Sequence, residues 1–335
     1  MEYRILGKTG LKISRLGFGG IPIQKIDAEG TGLLMRQLMD AGVNYIDTAR
    51  GYTVSESYLG QALEGIRSHF VIATKSMART KEAMARDIDT SLANLRTDYI
   101  DLYQVHNPTV TDLQQVMAPG GALEALMDAQ AAGKIGHIGL TAHSLGVFRM
   151  GLGSDWVETI MFPYNIVENQ AEALIRECTE KNIGFVCMKP LAGGALEDAT
   201  LALRYILQNP DVTVVIPGMA EEREIAQNVA AMCDTSPLTE EEKERIDNIR
   251  ATLGTNFCRR CNYCAPCTVG INIPTLFTTH GYYDRYGLQD WAVSKYNAMD
   301  KTASDCIGCG VCETRCPYQL PIRQMMQRAA KTFGK

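Results

Sequence analysis

Eight short β-rich runs, each followed by a segment of helical period, occupy the chain from Leu16 to about residue 232. The strand candidates are Leu16 to Gly20, Tyr45 to Ala49, Phe70 to Lys75, Tyr99 to His106, Ile135 to Ala142, Glu158 to Asn165, Gly184 to Leu191 and Val212 to Met219. Between them apolar residues recur every three or four positions, as in Lys81 to Leu95, Ala171 to Lys181 and Glu221 to Met232. Right-handed crossovers repeated eight times bring the last strand beside the first, so the pattern predicts a closed parallel (β/α)8 TIM barrel. A doubly wound sheet is the alternative. It normally takes its dinucleotide at a glycine-rich turn after the first strand, and the turn here, Gly19-Gly20-Ile21-Pro22, lacks the G-x-G-x-x-G spacing. An opening hairpin, roughly Tyr3 to Leu6 and Lys12 to Leu16, is placed to plug one barrel end.

A chain of 335 residues exceeds what one core usually supports, which predicts a large domain plus a small one. Thr239 and Glu242 have the spacing of a capping box, so a helix should start there, run to about Leu253 and stop at Gly254. The expected domains are therefore the α/β barrel, residues 1–253, and a cysteine-rich domain, residues 254–335.

Eight of the 11 cysteines form two tight groups: Cys258, Cys261, Cys264 and Cys267, then Cys306, Cys309, Cys312 and Cys316 before Pro317. The second group has the ferredoxin spacing C-x2-C-x2-C-x3-C-P, in which three thiolates hold one cubane and the fourth reaches the other. By that rule Cys258, Cys261, Cys264 and Cys316 bind one 4Fe-4S cluster, and Cys306, Cys309, Cys312 and Cys267 bind a second, in a ferredoxin-like domain. Two zinc sites are the bland alternative; three successive thiolates with a distant fourth suit a cubane better. Disulfides suit such runs poorly. Cys178, Cys187 and Cys233 read as core residues. Between the groups, Tyr282, Tyr283, Tyr286, Trp291 and Tyr296 are expected to pack, over the clusters or on the barrel.

The net charge of -5, with both signs mixed along the chain, gives no cationic field for nucleic acid or an anionic membrane. No apolar run reaches the eighteen or so residues that span a bilayer, and Met1 to Gly10 lacks a signal-peptide pattern, so a cytoplasmic location is expected.

At the expected C-terminal ends of the second, third and fourth strands stand Asp47, Lys75 and His106, with Tyr52 in the loop after the second. A barrel builds its active site on that rim. Together with Leu6-Gly7-Lys8-Thr9-Gly10-Leu11, Asp47-Thr48-Ala49-Arg50-Gly51-Tyr52, Ser55-Glu56 and Asp101-Leu102-Tyr103-Gln104-Val105-His106, they make the chain resemble an aldo-keto reductase over nearly the whole barrel. With its cysteine groups, and with Pro190 to Gly194 and Ile216 to Met219, it is similar to the iron-sulfur branch of that family.

The resemblance implies that Tyr52 is the general acid or base at a carbonyl oxygen, assisted by the Lys75 cation. Asp47 would hold Lys75, and His106 would orient the substrate oxygen. Arg50 is a weaker candidate for anchoring a carboxylate or phosphate. The family's nicotinamide contacts fall on Thr141, Ala142, Met161 and Met188, of which only Thr141 keeps comparable chemistry. Its adenosine-phosphate clamp falls on Gly218, Met219 and Glu224, with Glu221 and Glu222 nearby. Carboxylates facing a 2'-phosphate are repulsive, which leaves NADH, NADPH or no nicotinamide as alternatives. A flavin would convert between hydride and single-electron chemistry. Gly193, Gly194 and Gly218 match the usual barrel phosphate site for one, or else simply make tight turns.

The leading expectation is an iron-sulfur oxidoreductase that interconverts a carbonyl and an alcohol on a small molecule, its clusters serving a ferredoxin or flavoprotein partner. The alternatives are an electron-transfer or redox-sensing subunit with the barrel as scaffold, and an ordinary nicotinamide reductase braced by clusters.

Overall fold

The computed structural model describes residues 1–253, 257–259, 262–284 and 289–334. The chain forms two compact units, Met1–Asp247 and Asn248–Lys335.

In the first unit, β1 (Tyr3–Ile5) and β2 (Lys12–Ser14) make an antiparallel hairpin. Eight further strands pair in chain order, all parallel: β3 (Phe18–Gly19), β4 (Tyr45–Asp47), β5 (Val71–Ser76), β6 (Ile100–Val105), β7 (Ile135–Thr141), β8 (Thr159–Pro163), β9 (Gly184–Met188) and β10 (Val214–Val215). Leu16 bridges Val215 in parallel, and the amides of Gly17 and Gly19 donate to the carbonyls of Val215 and Pro217, which brings β10 back to β3. All eight expected strands are present. The last shrinks from the expected Val212 to Met219 to two residues, and Pro217, with no N–H to donate, fits that early end.

Helices α1 (Ala28–Asp40), α2 (Ser55–Ala62), α3 (Lys81–Asn94), α4 (Val110–Met117), α5 (Ala122–Ala131), α6 (Leu145–Leu152), α7 (Glu172–Glu180), α8 (Ala199–Leu207) and α9 (Glu222–Cys233) fill the connections, and α10 (Glu240–Leu253) follows. Their starts are written in the sequence. Asp27 accepts from the Gly30 amide at α1, Thr109 and Asp112 exchange hydrogen bonds at α4, and Thr239 and Glu242 do so at α10, at 2.8 and 3.1 Å.

Strands β8 and β9 are buried along their whole length, which is why they read as unbroken apolar runs. One face of the sheet packs on the helices. The other fills the barrel with Tyr45, Ala73, Leu102, Met161, Val186 and Val214, joined by Leu6 and Ile13 from the hairpin. The Lys8 amide donates to the Asn182 carbonyl at 2.7 Å, and a Cβ on Gly7 (φ +53°) would collide with the Gly184 nitrogen. The hairpin therefore covers the N-terminal barrel end, against the residues that enter β9. Cys178 and Cys187 are buried as expected. Cys233 is exposed on the last turn of α9, which corrects its reading as a core residue.

The second unit contains α11 (Ile273–Asp284), α12 (Gln289–Asn297), α13 (Val311–Thr314) and α14 (Ile322–Phe333). Tyr296 is buried in its core, stacked on Phe333 with centroids 4.1 Å apart, and its hydroxyl accepts from the Ala303 amide at 3.0 Å. Tyr283 meets the same Phe333 edge-on at 5.5 Å. Gly254, Cys261, Tyr286 and the Trp291 side chain lie outside the described residues. Among the described residues, no helix is long and apolar enough to cross a membrane.

Candidate active site and cysteine cavities

Alternation along the strands decides what the barrel interior presents. Tyr45, Ala73 and Leu102 point inward, so Asp47, Lys75, Gln104 and His106, two or four residues later, share that face at the C-terminal rim. Lys75 Nζ lies 2.5 Å from Asp47 Oδ1 and donates to the Thr48 carbonyl at 2.7 Å; Gln104 Nε2 donates to Asp47 Oδ2 at 3.1 Å. Both charges are buried. Burial pushes the Asp47 carboxyl up and the Lys75 ammonium down from their ordinary values, and each is opposed by the other's charge.

The Lys75 ammonium sits 4.8 Å from the centre of the Tyr52 ring, and the His106 ring meets Tyr52 edge-on at 6.3 Å. The four rim residues thus converge. Burial and then the Asp47 charge hold the Tyr52 phenol well above the ordinary range. The Lys75 ammonium, paired with Asp47, therefore stands beside a phenol that is protonated at rest.

His106 is buried, and its Nδ1 has no hydrogen-bond partner among the described residues. Burial, then the charges of Lys75, Arg79 and Lys189, keep its pKa well below the ordinary value. A second buried imidazole, His143, follows β7 and bonds through Nδ1 to Asn107 Oδ1 at 2.9 Å. Burial, then Lys189, His106 and Lys75, hold it down as well. Asn107 and Lys189 take left-handed backbone, φ +40° and +54°, a strain that concentrates at functional rims.

The two histidines link stability to acidity. Below their ordinary value of 6.5 the unfolded chain binds protons that the folded chain refuses, so stability falls with falling pH by about 1.4 kcal/mol per unit for each. Above 6.5 both states are neutral and the effect vanishes. Urea unfolding from about pH 7.5 to about pH 5.5 should show His143→Gln losing one such increment of slope; an unchanged slope would contradict the assignment.

Other expected positions fare differently. Thr141 ends β7, and its Oγ1 accepts from the Asn107 amide at 2.9 Å, bracing the turn after His106. Gly193 and Gly194 adopt φ +67° and +84° in a tight turn closed by the Gly194 amide on the Leu191 carbonyl. A Cβ on Gly218 would lie 2.7 Å from Pro22 Cγ. Backbone geometry accounts for all three glycines.

Met161 and Met188 are buried in the barrel interior. Glu221 and Glu224 form a capping box on α9, with Glu224 Oε2 accepting from the Ala220 amide at 2.6 Å. The chain's own carboxylates thus hold the helix end that would otherwise suit a phosphate. Arg50, the weaker anion-anchor candidate, pairs with buried Glu56 at 2.6 Å, and Glu56 also accepts from Thr74, Ser91 and Asn94. That pairing was not legible, because the side chains that hold Glu56 buried, Thr74, Ser91 and Asn94, lie far along the chain.

Sequence reasoning passed over Gln104, Asn107, His143 and Lys189. Gln104 was within reach, since it shares the inward parity of Leu102 and His106. The others sit just beyond strand ends, where no periodicity marks them.

In the second unit the cysteines line two cavities. Cys258, Cys264 and Cys316 share one with Arg259, Phe277 and Tyr318. Cys267, Cys306, Cys309 and Cys312 share the other with Arg323 and Met326. Each cavity draws from both cysteine groups, in the crossed arrangement that ferredoxin spacing implies. Among the described residues no three His, Cys, Asp or Glu side chains converge as a single-ion site, and none of the cysteines forms a disulfide. Thiolates spread round an apolar-walled space fit a cubane, whereas zinc needs its ligands drawn to one point about 2.3 Å away.

A model of the aldo/keto reductase family matches residues 15–200 and 198–251, and a 4Fe-4S dicluster domain matches residues 257–321. L-galactose dehydrogenase of Arabidopsis thaliana is 28% identical over 308 residues, covering 76% of this chain and 94% of that protein. The 6-dehydroglucose reductase of Novosphingobium aromaticivorans is 24% identical over 259 residues, covering 68% and 80%. The holo structure of the aldo-keto reductase AKR11C1 from Bacillus halodurans aligns with a TM-score of 0.65 at 27% identity, covering 74% of this chain and 96% of that one. Rim, barrel and family match agree, and this chain belongs to the aldo/keto reductase family of oxidoreductases, with a 4Fe-4S dicluster domain after its barrel.

Proposed function

We propose that the protein interconverts a carbonyl and an alcohol on a small hydroxylated molecule, with residues 1–253 as the catalytic barrel and 254–335 as a two-cluster domain. The convergence of Tyr52, Lys75, Asp47 and His106 on one rim carries this reading. The sugar-directed names of two relatives support a polyhydroxylated substrate.

Carbonyl reduction adds a hydride to carbon and a proton to oxygen, and the rim residues serve the oxygen. Tyr52, protonated at rest, gives its phenolic proton as negative charge develops there. Lys75, 4.8 Å from the ring, stabilises the phenolate that forms, while Asp47 fixes the ammonium. Neutral His106 donates from Nε2 to the same oxygen and orients it. In the reverse direction Tyr52 takes the proton back.

A nicotinamide, when bound, supplies the hydride, and the clusters, when bound, supply one-electron exchange with a soluble ferredoxin or flavoprotein of the cytoplasm. Cys258, Cys261, Cys264 and Cys316 would hold one cluster, Cys267, Cys306, Cys309 and Cys312 the other. The reading uses no flavin. Thr141 is the residue suited to a nicotinamide amide. The α9 carboxylates disfavour a 2'-phosphate, so NADPH should bind no tighter than NADH in a fluorescence titration. A preference for NADPH of about tenfold or more would overturn that assignment.

The activity is tested on anaerobically purified protein with a panel of aldoses, aldonolactones and polyols. Expected are about eight iron per chain and turnover of at least one sugar-type substrate. Absence of any turnover, with fast electron exchange between the clusters and a ferredoxin, would replace this reading by that of an electron-transfer subunit.

A further inference from the structure

Charge is spread unevenly along the second unit. Between Glu313 and Lys335 stand Arg315, Arg323, Arg328 and Lys331 and no Asp or Glu, in a chain whose net charge is -5. Helix α14 turns Ile322, Met326 and Ala329 into the core and stacks Phe333 on Tyr296. Its opposite face, Arg323, Gln324, Gln327, Arg328 and Lys331, is exposed. Arg323 is matched by Glu313, 2.8 Å away. Arg328 and Lys331 have no carboxylate partner among the described residues.

An open groove of about 880 Å³ borders this face, lined by Arg323, Gln324 and Gln327 of α14 and by Ser304, Cys306 and Gly308. Cys306, Arg323 and Met326 also line the cavity of the second cysteine set, so groove and cavity share a wall. Arg328 and Lys331 stand four residues after Gln324 and Gln327 and continue those two rows along the helix. Cys309 is exposed, and beside it in the chain Ile307 and Val311 are 64% and 37% exposed.

We infer that this face of α14, with Ile307 and Val311, is the docking surface for an acidic one-electron carrier protein, and that electrons pass through the cluster held by Cys267, Cys306, Cys309 and Cys312. The inference rests on the two-cluster reading above. Each transfer takes one electron from the reduced carrier to the oxidised cluster, and no bond forms or breaks. Unmatched cations attract an acidic partner before contact, and apolar side chains exclude water once it is seated. A membrane fits less well, because α14 buries its apolar face inside the unit. Nucleic acid fits less well too: two unmatched cations fall short of the roughly six to ten phosphate contacts of a strongly salt-dependent DNA binder.

The test is anaerobic stopped-flow reduction of the clusters by reduced flavodoxin, an acidic carrier. It compares the full chain with two double variants, Arg328→Glu with Lys331→Glu and Arg328→Gln with Lys331→Gln. The native second-order rate constant should fall about tenfold or more from low to high salt. The Glu pair should cut the low-salt rate by about tenfold and flatten its salt dependence, with the Gln pair in between. Iron content and reduction by dithionite, which needs no docking, should match the native chain in both. An unchanged low-salt rate in the Glu pair overturns the inference, as does a native chain that dithionite reduces and flavodoxin does not. If the Glu pair loses iron, an unchanged rate in the Gln pair overturns it. Flavodoxin rates indifferent to both pairs, with binding to phosphatidylserine vesicles or duplex DNA lost in the Glu pair, would assign the face to that partner instead. A native chain whose clusters dithionite cannot reduce would bring down the ligation reading, and the inference with it.

Discussion

Tyr52→Phe is expected to lower turnover of the responsive substrate by roughly 10²- to 10⁴-fold, the usual worth of a positioned proton donor. The change removes one oxygen atom at a partly exposed rim position, so the barrel has no reason to unfold and the cysteine cavities none to change. Iron content and thermal stability should therefore match the native chain. Binding should weaken far less than turnover, because the phenol acts where charge develops in the transition state. Full activity in the variant would remove Tyr52 from the chemistry, and with it the proposed role of the Lys75 cation.

Lys75→Met should have the largest effect on stability, about 3–5 kcal/mol, because it strands the Asp47 carboxylate in the barrel interior. Gln104 still offers one hydrogen bond, at 3.1 Å, which does not replace a charge. Asp47 would then resist ionisation more strongly than it already does. A carboxyl whose folded pKa is raised destabilises the fold increasingly as pH climbs from its ordinary value toward the folded one. The loss should accordingly grow from acid to neutral pH in urea unfolding. The double variant Asp47→Leu with Lys75→Met removes both charges and should regain most of the stability while remaining inactive. If the single variant is as stable as the native chain, the pair does not carry its charges in the way inferred.

Much of the barrel was legible because the signal is periodic. Both faces of β8 and β9 are covered, so their residues are apolar without interruption, and the helices between strands announce themselves by their caps. The rim tetrad was legible for a related reason: chemistry-bearing residues stood at the ends of three successive strands. What stayed hidden depends on contacts across the chain. Arg50 looks like a loop cation until Glu56 is seen in the fold, buried and already bonded to residues of β5 and α3. His143 is one of five histidines, and nothing local distinguishes it before the turn after β6 brings Asn107 beside it. Cys233 misled because the apolar run Val229 to Met232 precedes it, although the helix turns it outward at its last residue. The sharing of cysteines between the two cavities follows the ferredoxin spacing, in which Cys316, four positions after Cys312, reaches the other site.

That sharing has a consequence for how the protein is made. The cavity that begins with Cys258 is finished only by Cys316, and the one that includes Cys267 waits for Cys312. On the ribosome, then, the barrel can emerge and fold while the earlier thiolates remain uncommitted. Iron loading becomes a late event relative to the barrel, reserved for chains in which Cys312 and Cys316 have already been made.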